Sequence, residues 1–192
     1  MTPAAPTRGR FHDFDVAMFR RLAGWHAPLL DRTLPPLTEA ASYSRLWLGL
    51  AGVLSLKPGA TRRAGVHGVA GIALASPIAN LVGKVTFPRD RPYAHPVPHI
   101  RRAARRPDSS SFPSGHSASA AAFATGVALE APALGVPIGV LAGLVCLSRV
   151  YTGVHYPLDV MAGIGLGVAC GYAAKPLVRA VDRAVSLDRA PG

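Results

Sequence analysis

Five apolar stretches follow one another along this 192-residue chain, and they limit its fold more than any other feature. They cover residues 46–56, 64–83, 109–129, 131–148 and 160–174, the last extendable to Val178 if Lys175 snorkels. A helix that crosses a bilayer needs about 20 mostly apolar residues, with about 17 to 25 as the working range. The three middle stretches meet that length, and the first and last are borderline. Any one of them alone could be the core helix of a soluble protein. Five in succession, rich in Gly and Ala, favour a membrane bundle, because small residues let helices approach closely in lipid. Only 16% of the residues are charged, against about 25% in an ordinary soluble domain. The expected fold class is therefore all-α: an integral-membrane helical bundle of about five spans.

The chain ahead of these stretches has a different character. Phe11, Phe14, Met18, Leu22 and Trp25 recur at helical spacing, with Asp15, Arg20 and Arg21 off that stripe. Such an amphipathic helix either lies in the membrane interface or packs against the bundle, and Pro35-Pro36 is expected to end it. The organisation expected is an N-terminal amphipathic, interfacial segment over 1–41, a transmembrane bundle over 42–178 and a basic tail over 179–192. No apolar run follows the N-terminal arginines, so no cleavable signal peptide is expected. Cys146 and Cys170 sit inside apolar runs and read as buried small hydrophobes, not a disulfide or a metal site. The net charge of +11 on so apolar a chain points to phosphate-bearing lipids and bilayer surfaces as partners. Aromatics are few and no basic binding module is present, so nucleic acid is not expected.

Three polar clusters stand at the ends of the expected spans: KVTFPRDRP (84–92), FPSGH (112–116) and SRVYTGVHYPLD (148–159). Counting crossings puts all three on one side of the membrane. Ionisable groups at such positions are functional candidates. Lys84, Arg91 and Arg149 supply three cations, and an arginine fork suits bidentate grip on phosphate oxygens. Ser114 and the backbone N–H groups of Gly115 and His116 open a helix, a position that favours anions. His155 precedes Asp159 by four residues, so the carboxylate can orient one ring nitrogen and leave the other as a nucleophile. His116 has no acid nearby in sequence and fits a general acid for the leaving oxygen.

Other residues are read differently. Ser114 as nucleophile with His116 as base has poor geometry at two residues' separation, and no nucleophile elbow is present. His95 and His99 read as solvated loop histidines, since nothing near them completes a metal set. His67, in mid-span, reads as a buried, hydrogen-bonded side chain. Arg101, Arg102, Arg105 and Arg106 read either as a solvated face or as a contact for anionic headgroups.

The clusters resemble the signature of the type 2 phosphatidic acid phosphatase superfamily, whose relatives include vanadium haloperoxidases. That signature is K-x6-RP, PSGH and SR-x5-H-x3-D, and Lys84, Arg91-Pro92, Pro113 to His116, Ser148-Arg149, His155 and Asp159 match it in order and spacing. The block from residue 109 onward also resembles the phosphatase half of actinobacterial phosphatase–lipid kinase fusions. The resemblance implies a membrane lipid phosphatase acting on phosphatidic acid, phosphatidylglycerol phosphate or a polyprenyl phosphate. In it His155 becomes a phosphohistidine oriented by Asp159, and His116 protonates the leaving alcohol. Lys84, Arg91, Ser114, Gly115 and Arg149 hold the phosphoryl oxygens. No metal or other cofactor is implied. The larger share of basic residues falls on the catalytic side, which by the positive-inside rule would face the cytoplasm; the resemblance implies a site on the outer face of a bacterial plasma membrane. The alternatives are a vanadate-dependent haloperoxidase and a catalytically silent lipid-binding protein. Many family members have six spans, and here the amphipathic segment stands in place of the first.

Overall fold

α6 (Gly115–Glu130) shows how the rest of the bundle is built. Its sequence is small and apolar on every side, and a helix without a polar face belongs inside. Ser117 to Phe123 are all buried in it. The computed structural model describes residues 9–25, 27–95, 97–103 and 107–188. Among them the other helices are α1 (Arg10–Ala23), α2 (Pro28–Ala40), α3 (Arg45–Ser55), α4 (Ala60–Pro77), α5 (Lys84–Thr86), α7 (Pro132–Tyr151) and α8 (Pro157–Asp188), with no strand. α6 packs between α4, α7 and α8; α3 lies on α4, while α1 and α2 lie on α7.

The approach of α6 to its neighbours is backbone to backbone. A Cβ added at Gly167 of α8 would stand 2.3 Å from the carbonyl oxygen of Ala118, and one at Gly126 would stand 2.7 Å from the nitrogen of Gly68. Phe123 fills the space beside Gly68 and stacks on Trp47 at 5.3 Å. Larger residues at these contacts would force the helices apart.

Among the described residues, three helical segments are long and apolar enough to cross a membrane: Ala60–Thr86, Pro132–Tyr151 and Pro157–Ala180. The first is continuous because α4 passes through a π-helix, Ile78–Gly83, into α5. α3, with 11 residues, and α6, with 16, are shorter; at about 1.5 Å per residue α6 is about 24 Å long. Leu81, Val85, Val136, Val140, Met161 and Val168 point outward, the arrangement that lipid requires.

The N-terminal segment departs from its expected form in two ways. Pro35 and Pro36 do not end a helix: both lie inside α2. The break falls earlier, at Gly24, and Pro28 opens a new helix, where its missing N–H has no partner to lose. The two later prolines keep a helical φ at the cost of hydrogen bonds, and packing of buried Leu34 and Thr38 holds α2 in place. In α1 the aromatic stripe faces outward, with Phe11 82% and Phe14 59% exposed. The face turned to the bundle carries Phe19 and the carboxylate of Asp15, both fully buried.

Other side chains fall as follows. His67 is buried and bonded, Nδ1 to Glu130 at 3.0 Å and Nε2 to the Gly171 carbonyl at 2.9 Å. Both cysteines are free and buried. Arg101 is neither solvated nor at a headgroup surface: Nε donates to Asp31 at 2.6 Å and its guanidinium covers the Tyr151 ring. His95 is half-buried against Phe19 and Tyr156, because α1 covers its loop, while His99 is exposed. Arg105, Arg106 and tail residues 189–192 lie outside the described residues.

The close contacts predict a position-specific cost. Gly167→Leu is expected to lower stability by at least the ~1–3 kcal/mol typical of overpacking, read as the thermal melt in detergent. Gly165→Leu, whose added side chain meets open space on the same helix, is expected to melt like the parent.

Candidate active site

The start of α6 illustrates how local sequence builds the site. Ser114 is its N-cap, with extended backbone and a side-chain oxygen that accepts from the Ser117 N–H at 3.4 Å. Its own N–H donates to the Asp159 carbonyl at 2.9 Å, tying the PSGH turn to α8. The next two residues, Gly115 and His116, then reach a cavity of about 310 Å³. Lys84, Arg91, Arg149 and His155 line the same cavity, so the three clusters converge. Ser114 itself is fully buried, receives the Ser117 hydroxyl at 2.9 Å, and is not among the lining residues. Asp159 is also buried, behind His155.

Each cation is anchored by hydrogen bonds, and Arg91 and Lys84 share Ser109. Arg91 donates through Nε to the Ser109 carbonyl at 2.8 Å and through Nη1 to the Val154 carbonyl at 2.8 Å. The same Nη1 lies 3.2 Å from Nε2 of His155. Arg149 donates through Nη1 to the Thr38 hydroxyl at 2.6 Å, while its buried Nε has no partner. Lys84 Nζ reaches Ser109 Oγ at 3.3 Å. The π-helix ahead of Lys84 places Asn80 beside Gly115, where an added Cβ would meet its amide at 2.9 Å. Such bulges commonly shape functional sites.

The tautomer of His155 follows from its neighbours. An arginine side chain has only donors, so Nε2 beside Arg91 accepts and Nδ1 carries the proton. Nδ1 faces Asp159 Oδ2 at 3.6 Å, longer than a hydrogen bond. Asp159 acts here as a facing charge that a shift of about 0.4 Å would bring into bonding range, and such contacts commonly tighten on substrate binding. Nε2 therefore carries the ring's lone pair, held by Arg91, on a residue that lines the cavity. His116 Nε2 lies 3.3 Å from the Ser42 hydroxyl.

A family model for the PAP2 superfamily matches residues 65–183, more than half of the chain. The chain belongs to the PAP2 superfamily. Among its relatives, decaprenylphosphoryl-5-phosphoribose phosphatase of Mycolicibacterium smegmatis is 37% identical over 128 residues, 66% of this chain and 67% of that one. Undecaprenyl-diphosphatase BcrC of Bacillus subtilis is 29% identical over 57% of this chain and 53% of its own. Among solved structures, Aquifex aeolicus LpxE superposes with a TM-score of 0.71 at 25% identity, covering 85% of this chain and 95% of its own. The transmembrane PAP2 type phosphatidylglycerolphosphate phosphatase of Bacillus subtilis superposes at 0.68 and 25% identity, covering 91% and 89%.

In this PAP2 chain several site contacts come from residues outside the expected site set. Thr38 on α2 holds Arg149, and Ser42 touches His116. Arg89 bridges two carboxylates, Asp159 Oδ1 and Asp15 Oδ2, each at 2.6 Å. Nothing in their local sequence marks Thr38 or Ser42. Arg89 stood within the first cluster, while Asp15 stood off the α1 stripe with Arg20 and Arg21, and nothing in the sequence marked its burial.

Burial pushes the His155 imidazole down from 6.5 to about 4; the Asp159 carboxylate opposes this, and the Arg149 and Arg91 charges reinforce it. The folded protein therefore holds His155 neutral at pH values where an unfolded chain protonates it. Its contribution to stability is complete above about 6.5 and is lost as pH falls through about 4. Thermal melts of the ligand-free protein across that window are expected to fall more steeply for the parent than for His155→Gln.

Proposed function

We propose that this PAP2 protein is a metal-independent membrane phosphatase of a polyprenyl-type lipid phosphate, working through a phosphohistidine. One observation carries the reading: a neutral imidazole, its Nε2 lone pair beside Arg91 and its Nδ1–H facing Asp159, stands in one cavity with three cations. The names of the relatives support the substrate class, since two of them act on decaprenyl- and undecaprenyl-linked phosphates. The cavity's mixture of polar groups with Ala41 and Tyr43 suits a phosphate that arrives attached to an apolar chain.

The chemistry divides between the two histidines. Nε2 of His155 attacks phosphorus as the bond to the alcohol oxygen breaks; His116, kept neutral by burial and the neighbouring cations, takes up a proton as the anionic phosphate enters and gives it to that oxygen. Lys84, Arg91 and Arg149 hold the charge on the three remaining oxygens, and the backbone at Gly115 lies close enough to join them. Arg91 exchanges its contact with Nε2 for one with a phosphoryl oxygen as the N–P bond forms. Neutral His116 then takes a proton from water, and the resulting hydroxide displaces the imidazole to release phosphate. Ser114 acts in this reading through the backbone, as the cap that shapes the turn.

The proposal extends to sidedness: the cavity opens at the outer face of a bacterial plasma membrane, as the family resemblance implies. Of the basic residues at that end, Lys84, Arg91 and Arg149 line the cavity and Arg89 and Arg101 bind carboxylates, so these five have roles other than as topology signals.

Phosphate release from polyprenyl phosphates, phosphatidic acid and phosphatidylglycerol phosphate is the direct assay. His155→Ala is expected to lose at least about 10³-fold in kcat, in line with removal of a nucleophile, and chelators are expected to leave the parent unchanged. Intact cells are expected to hydrolyse added substrate without permeabilisation. Full activity in His155→Ala would exclude the mechanism, and a chelator-sensitive parent would exclude metal independence.

A further inference from the structure

α1 is joined by charge-assisted hydrogen bonds to Asp159, the residue that faces the nucleophile. Asp15 is fully buried, and its two oxygens do different work. Oδ1 accepts from the Leu158 N–H at 2.9 Å, capping the first turn of α8 from another helix. Oδ2 accepts from Arg89 Nη2 at 2.6 Å. Arg89 Nη1 reaches Asp159 Oδ1 at 2.6 Å, and the guanidinium lies over the Tyr156 ring, 4.5 Å from its centroid. Asp159 Oδ2 accepts from the Tyr156 N–H at 2.9 Å and is the oxygen that faces His155 Nδ1. Both carboxylates are inaccessible to water, so each depends on these partners for its charge.

We infer that Asp15 and Arg89 are positioning residues for the nucleophile: Asp15, held on α1, sets the Arg89 fork, and the fork sets which Asp159 oxygen faces His155. The inference rests on His155 being the nucleophile. It assigns α1 a part in catalysis beyond its outward aromatic face. A planar fork is required because one cation must serve two carboxylates through separate nitrogens, which a lysine point charge cannot do. The fork touches no lining atom of the cavity through the contacts described, so its loss leaves phosphate binding to Lys84, Arg91 and Arg149.

Asp15→Asn keeps an oxygen for the Leu158 N–H but removes the charge that holds Arg89; Arg89→Lys keeps the cap and a positive charge but removes the fork. Each is expected to reduce kcat by about ten- to hundredfold, the scale of a misplaced reacting group. KM and the inhibition constant of inorganic phosphate are expected to stay within about twofold of the parent, since the cradle is intact. Melting of the purified proteins in detergent accompanies the assay. Unchanged kcat in both variants overturns the inference. A fall in kcat that is matched by lost phosphate inhibition and a lowered melt also overturns it, because the role is then only structural. His155→Ala separates the two claims: if it is inactive while both variants turn over normally, only the positioning role fails. If it is active, the nucleophile assignment fails and the inference falls with it.

Discussion

Asp159 carries a carboxylate that water does not reach, and the site is arranged around the need to stabilise it. An ion taken out of water into a protein interior costs several kcal/mol unless partners compensate. Here the compensation comes from three separate parts of the chain. The corner before α8 offers the Tyr156 N–H, the polar loop offers Arg89, and α1 offers Asp15 to hold Arg89 in turn. The same carboxylate then faces the proton of His155, whose other nitrogen is turned to the cavity. Packing and chemistry meet at this one group, because the partners that make its burial tolerable also fix its direction.

The cavity poses the opposite electrostatic problem. Lys84, Arg91 and Arg149 converge with Glu39 as the one acidic residue on its lining. Arg91 is tied to carbonyls and Arg149 to Thr38, while a buried nitrogen of Arg149 has no partner. These hydrogen bonds hold the like charges around one cavity. In the proposed reaction a multiply charged phosphate relieves the repulsion on entry, to a site organised before substrate arrives. The tight glycine contacts around α6 are what keep the PSGH turn, α4 and α8 at the spacing this requires.

Much of the site could be read from sequence, because span counting brought clusters at 84–92, 112–116 and 148–159 to one side, and the structure joins them. His67 met its expected environment for the same reason: a polar residue in a small-residue helix must find partners inside. The hidden parts depend on contacts between residues distant in the chain. Asp15 meets Arg89 across 74 positions, and Arg149 meets Thr38 across 111. No local pattern encodes such pairings. Arg101 was misplaced on the surface because Asp31, 70 positions away, supplies the charge that permits its burial. The prolines of α2 misled because their local preference was overruled by packing of Leu34 and Thr38. Ser114 was assigned to the phosphate because of its place in the motif, whereas the fold turns its hydroxyl to Ser117.

The central claim is that His155 forms a bond to phosphorus. Rapid acid-free quenching of turnover on a lipid carrying labelled phosphate, followed by peptide mapping, tests it directly. The account predicts label on one histidine, His155, stable in base and lost in acid, and none in His155→Ala. Label on His116 or on a serine, or active turnover in which no protein-bound phosphate forms under single-turnover conditions, would contradict it.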